Sequence, residues 1–271
     1  MKLSELGELG LLRELEARGL TRGIENDAAA LDDGLVVTQD ALVEGVHFRL
    51  EAIGWRGRGF RAAAVNVSDV GASGAAPDAL VVSLGVPGET ALESVVELYE
   101  GIAEAGVPVV GGDTTAADGV YLSVTALGRS ERVPGRGGAR PGDALVVTGP
   151  LGAAGAAFRR GEYVRPPIRL EEVKALAAHA HAMLDVSDGL ARDAAHIAER
   201  SGCRLVVELE RVPLAPDATV DDLGFGEDYE LLAAVADAAG FRVIGRCEEG
   251  AGVELLLDGM AYELSSWEHF R

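Results

Sequence analysis

Six aspartates share one kind of setting: Asp27 in GIENDAAA, Asp40 closing LVVTQD, Asp69 in VNVSDVG, Asp113 in VVGGDTT, and Asp185 with Asp188 in LDVSDG. Nearly all end an apolar run or abut a glycine, whereas solvated surface acids keep charged, helical company. A lone buried carboxylate is expensive, so such acids pair with cations or bind metal. Hard divalent ions take oxygen ligands, and Mg²⁺ is held by few carboxylates together with substrate phosphates. Aspartates converging from different strands would therefore suit several Mg²⁺ on a nucleotide. The alternative is that each acid is an N-cap or turn former. That reading fits Asp188, before Gly189 and a helix, and explains the set as a whole less well.

The elements that must position these acids can be read from periodicity. LVVTQ (35–39) reads as a strand ending at Asp40, 60–76 as a weakly helical small-residue stretch, 79–86 as a strand and 89–106 as a helix. VPVVGGD and YLSVTALG supply two more strands, and the Gly-, Pro- and Arg-rich stretch 132–143 is the linker candidate. The second half restarts with ALVVTG, then LGAAGAAFRRG as turn and helix, and a helix over 170–182. Strand–turn–helix through DVSDG follows, then RLVVELE, ELLAAVA and VELLLDG as strands. In a strand Asp185 and Ser187 face the same way. Asp188 then lies near a helix N-terminus, where backbone N–H groups favour anions. Strands and helices alternate without a strict βαβ rhythm, which predicts an α+β, two-domain chain divided as 1–136 and 137–271. VNVSD and LDVSD repeat the pattern apolar–x–Val–Ser–Asp, once in each half.

The 271 residues carry a formal charge of −20, which excludes a phosphate-backbone partner and makes metal cations the natural mediators of any phosphate ligand. No apolar run approaches the about 20 residues of a membrane span, and the N-terminal MKLSELGELGLLRELEARGL reads as an amphipathic helix rather than a signal peptide. Cys203 and Cys247 read as reduced packing thiols of a cytoplasmic protein. GPLGAAG (149–155) either cradles phosphate or packs a helix closely on a sheet. It is no Walker A, and with lysines only at positions 2 and 174 a P-loop lysine is not expected. His179 and His181, two apart on an expected helix, point different ways and read as surface histidines.

Taken in order, GIENDAAAL, TQDALVEGVHF, AVNVSDVGASGAAP, VVGGDTT, GARPGD, VVTGPLGAAG, VRPPIR, LDVSDGLARDAAHIAERSG, GEDYELL and the terminal WEHF resemble the thiamine-monophosphate kinase family. That family stands beside the aminoimidazole ribonucleotide and selenophosphate synthetases. The resemblance implies ATP-dependent, Mg²⁺-assisted phosphorylation of thiamine monophosphate to the diphosphate. It also implies a homodimer whose N-terminal strands build a shared β-barrel, an α+β C-terminal domain, and nucleotide and metals in the cleft between the domains. Carried over by position, Asp27, Thr38, Gln39, Asp40, Asp69, Asp113, Asp185 and Asp188 fall in the metal set. Tyr99, Gly112, Asp113, Arg136 and Ser187 match ATP contacts, and His47, Glu227 and Trp267 lie on the substrate side. No protein nucleophile is implied. Asn26, Gln39 and Phe225 depart from the family pattern, in which an acid, a small hydroxyl residue and a glycine are usual. Two other readings compete: a sibling ATP-using enzyme with a different small substrate, and a non-catalytic paralogue that binds nucleotide or thiamine phosphates.

Overall fold

The structure, a computed structural model, describes residues 2–21, 26–47 and 53–264. Its elements in chain order are α1 (Leu3–Ala17), β1 (Ala29–Ala30), β2 (Leu35–Val43), α2 (Trp55–Ala72), β3 (Ala76–Val86), α3 (Leu92–Ala103), β4 (Val109–Ala116) and β5 (Tyr121–Arg129). The second half follows with β6 (Ala144–Val147), α4 (Ala153–Arg160), α5 (Leu170–Ala177), β7 (Ala180–Asp185), α6 (Leu190–Ser201), β8 (Arg204–Glu208), β9 (Leu231–Val235), β10 (Arg242–Glu248), β11 (Gly252–Leu257) and β12 (Met260–Ala261). The expected N-terminal helix is present, kinked at Gly7, whose φ of 71° breaks the helical path.

The first half forms an open five-stranded sheet in the order β1-β2-β5-β3-β4. Alternation fixes its two faces. Val36, Leu42, Leu80, Val82, Leu84, Leu122, Val124 and Ala126 are buried beneath α2, and their neighbours in sequence point the other way. α2 is buried almost all round because it is built from small residues. It crosses α3 at backbone contact. A Cβ on Gly59 would lie 1.8 Å from the Leu98 carbonyl oxygen, and one on Gly101 1.9 Å from that of Arg56. β4 is an exposed edge along its whole length, so the described residues form no closed barrel within one chain.

The second half forms a seven-stranded sheet, β12-β11-β8-β10-β6-β9-β7, antiparallel except for the β11–β8 pair. Its central strands are buried on both faces. Leu145, Val147, Leu184 and Leu232 pack towards α6, while Val146, Met183, Leu231 and Ala233 pack towards α5. That is why these strands read as unbroken apolar runs. It also corrects the helix expected over 170–182: α5 stops at Ala177 and residues 180–185 pair with β9. His181 therefore sits on a strand, its Nδ1 2.8 Å from Asp143 Oδ2. The linker candidate is no free tether, for Met183 N donates to Gly135 O at 2.8 Å and Arg132 reaches the Ala180 carbonyl at 2.6 Å.

Candidate active site and metal centre

α2 delivers the first group of polar side chains. Arg61 and Ser68 fall on one helical stripe that reaches the second domain, at Glu227 and Asp185, and Asp69 follows at the seam with the first sheet. From β2, the Thr38 hydroxyl donates to Asp69 Oδ2 at 2.8 Å, and Asn66 Oδ1 accepts from the Asp40 backbone N at 2.9 Å. Asp27, in the turn before β1, takes the Arg136 Nε at 2.9 Å. From the other domain, β7 ends at Asp185, which accepts the Ser68 hydroxyl. Carboxylate oxygens of Asp27, Asp69 and Asp185 lie within 4.8 Å of one another.

Three carboxylates so close are electrostatically strained. Burial, then the Asp27 charge, pushes Asp185 up to about 8, against the opposing effect of Ser68 and Arg136. Burial and the charges of Asp185, Asp40 and Asp27 push Asp69 well above the carboxylate range. Burial raises Asp27 as well, with Arg136 pulling it back. Asp185 is 2% exposed, and its Oδ1 has no hydrogen-bond partner. Arg136 balances Asp27 alone, and Asp69 and Asp185 are hard oxygen donors in no ion pair among the described residues, the chemistry a divalent ion would complete.

The turn after Asp185 holds Ser187 and Asp188. Asp188 pairs with Arg192 at 3.3 Å, and its backbone N donates to the buried Asp193 at 3.1 Å. Asp188, Asp193 and His196 form a second group with ligand atoms within 4.8 Å. Burial, with Arg136 and Arg192, holds His196 down at about 4, so it is neutral. Sequence reasoning missed Asp193, although its spacing from Leu190 and Ile197 marks the buried stripe of α6. It also missed Arg61, Asn66 and Ser68, polar residues on a helix otherwise built of small and apolar side chains, which could have marked them.

The GEDYEL segment is laced onto this turn. Glu227 N donates to Ser187 O at 2.8 Å, and Asp228 N and Tyr229 N both reach Val186 O, at 3.1 and 2.9 Å. Glu227 and Tyr229 adopt positive φ values of 58° and 51°, strain that the bonds on either side hold in place. Arg61 joins the two substrate-side residues: it donates to the His47 carbonyl at 2.7 Å and pairs with Glu227. Asp228 Oδ2 accepts Gly152 N at 2.8 Å, capping α4. The GPLGAAG turn is thus filled by a carboxylate, and close packing is its role; a Cβ on Gly155 would lie 2.9 Å from Asp222.

Not every residue expected in the site joins it. Gln39 points to the opposite face of the first sheet, where it accepts from Thr125 Oγ1 at 3.0 Å. Asp113 pairs with Ser83 in register, on the face that α2 does not cover. Gly112, with φ 151°, lies against Val82, and the Tyr99 hydroxyl bonds the Thr114 side chain, so these three belong to the β4 edge. Trp267 lies outside the described residues. Asn26 accepts Arg136 N at 3.0 Å, and Phe225 packs on Phe158 with centroids 4.9 Å apart.

Two mixed α/β domains in this order are those of an AIR synthase related protein. The domain models of that name match residues 25–130 (N-terminal domain) and 140–255 (C-terminal domain). A thiamine-monophosphate kinase of Aquifex aeolicus is 34% identical with all of both chains covered. That of Mycobacterium tuberculosis is 34% identical over 99% of this chain and 93% of its own. A solved structure described as AaThiL complexed with AMPPCP and TMP superposes with a TM-score of 0.91, at 34% identity and 99% coverage of each chain. The chain belongs to the thiamine-monophosphate kinase family. A hydrogenase maturation protein HypE, 22% identical with a TM-score of 0.73, shares the fold.

Proposed function

We propose that this protein transfers a phosphoryl group from ATP to thiamine monophosphate, giving thiamine diphosphate. The observation that carries the reading is the meeting of Asp27 and Asp69 from one domain with Asp185 from the other. The thiamine-monophosphate kinases it matches and a neighbour bound to AMPPCP and TMP supply the substrates.

Asp27, Thr38, Asp40, Asp69, Asp185 and Asp188 are the residues that would hold Mg²⁺, and the unpartnered Asp185 Oδ1 fits such an ion. When bound, the metal neutralises phosphate charge. The chain's own contribution is alignment: Arg136 and the Ser187 turn on the nucleotide side, and His47 and Glu227, tied together by Arg61, on the thiamine side. Bringing two anions into line needs positioning rather than a nucleophile.

The domain boundary falls at 136/137 in this reading. The first sheet ends at Arg129 and the second begins at Ala144, which supports it. A homodimer closing a barrel is supported by the exposed β4 edge, with Val110 65% exposed, and by half-buried Val37, Val81 and Leu127 on the face away from α2. Gly112 and Asp113 lie on that edge and Tyr99 reaches it from α3, so their contribution is made across the interface. Cys203 and Cys247, buried and outside any disulfide, fit a cytoplasmic protein. No helix of the described residues is long and apolar enough to cross a membrane.

Measuring ADP release with thiamine monophosphate and Mg²⁺ tests the reading. Wild type turns over, and Asp40→Ala and Asp69→Ala lose turnover while keeping the wild-type circular dichroism. Wild-type rates in either variant at saturating Mg²⁺ would refute it.

A further inference from the structure

At the start of α2, Ile53, Gly54 and Gly57 face Gly161, Glu162, Tyr163 and Arg165 across an open depression of about 530 Å³, a size that suits a small organic ligand. The Tyr163 ring rests on α2 where Gly57 has no side chain: a Cβ there would lie 3.7 Å from Tyr163 Cε1. Its hydroxyl is buried and has no hydrogen-bond partner. Buried polar groups are nearly always paired, so an orphan on a side chain that lines a cavity points to a partner that arrives with a ligand. The charges of Arg61 and Glu227 act on Tyr163, which places it beside the substrate-side pair. Of the other polar walls, Arg165 is already neutralised by Glu104 at 2.6 Å and stacks on Phe60 at 3.6 Å, and Glu162 pairs with Arg160 at 2.7 Å. They leave the tyrosine as the polar group with unused capacity.

We infer that Tyr163 is a specificity-determining residue whose hydroxyl hydrogen-bonds the aminopyrimidine of the thiamine substrate in this cavity. The inference rests on the proposed function: the phosphate end must face the carboxylate cluster, so the organic end extends past Glu227 towards Tyr163. No residue of the metal set is involved.

Tyr163→Phe removes only the hydroxyl. In the free protein that hydroxyl bonds nothing, so the melting temperature is unchanged or rises. By titration calorimetry the Kd for thiamine monophosphate, without ATP, rises about three- to tenfold, the value of one neutral hydrogen bond. KM for thiamine monophosphate follows, while kcat and KM for ATP stay within twofold. With the phosphorylated hydroxyethylthiazole alone, which lacks the pyrimidine, wild type and variant bind equally. An unchanged Kd for thiamine monophosphate overturns the inference, and so does a penalty that persists with the thiazole phosphate. Binding without turnover in wild type would sink the proposed kinase activity and leave the calorimetric comparison to decide Tyr163.

Discussion

Replacing one titrating carboxyl of the cluster should change how stability depends on pH. Burial raises Asp185 from 3.8 to about 8, with the charges of Asp27 and Asp40 adding to it and Ser68 and Arg136 opposing it. In the unfolded chain the same group loses its proton near pH 4. Between about pH 4 and 8 the folded state therefore holds a proton that the unfolded state has released, and stability falls as pH rises through that window. One retained proton corresponds to about 1.4 kcal/mol per pH unit, or about 3 kcal/mol between pH 5 and 7. Asp185→Asn keeps the shape and still accepts the Ser68 hydroxyl, but it cannot ionise. Urea denaturation in EDTA at pH 5, 6 and 7 should show a wild-type slope steeper than the variant's by about that amount per unit. Asp69, raised for the same reasons, leaves a residual slope in both proteins. Excess Mg²⁺ should flatten the wild-type slope, since binding favours the ionised form, and turnover of the variant should be lost. Equal slopes for the two proteins in EDTA would refute the electrostatic account of the cluster.

Arg61→Ala strips a buried guanidinium from both the His47 carbonyl and Glu227. KM for thiamine monophosphate should rise while KM for ATP holds, and urea midpoints should register a loss of about 2 kcal/mol; equal rises in both constants would count against a substrate-side role. Val110→Glu places a charge on the exposed β4 edge. Light scattering should report a dimer for wild type and a monomer for the variant, and a monomeric wild type would remove the barrel.

The strands were largely legible because those of the second sheet are apolar on both faces and those of the first alternate. β10 escaped notice, since RVIGRCE puts Arg242, Arg246 and Glu248 on an exposed side and carries a register shift at Gly245. The helix over 170–182 was overrun because AHAM is good helix sequence, and only pairing with β9 makes it a strand. The VSD repeat proved to be a likeness of letters. Asp69 sits inside α2, where its helical turn aims it at the cleft, whereas Asp188 sits in the turn after β7. Proximity of apolar runs marks Asp27, Asp69 and Asp185, whose carboxylates meet, but sheet register, which no local pattern encodes, separates Asp113 and Gln39 from them.

The cleft is fastened by polar contacts that cross between the domains: Ser68 to Asp185, Arg61 to Glu227, and Gly135 to Met183. Such contacts fix orientation more than they add stability, because each charged partner gives up hydration to make them. Against them stand three crowded carboxyl groups, two from the first domain and one from the second, whose burial and proximity keep protons on Asp69 and Asp185. A cation at the seam would let these groups ionise together, drawing both domains onto one ion as well as binding phosphate. Affinity for the ion and rigidity of the cleft are then linked, since whatever binds the folded state alone stabilises it. An enzyme that works by alignment gains from this arrangement, because the ion that carries the phosphates would also set the distance between the domains that hold the two substrates.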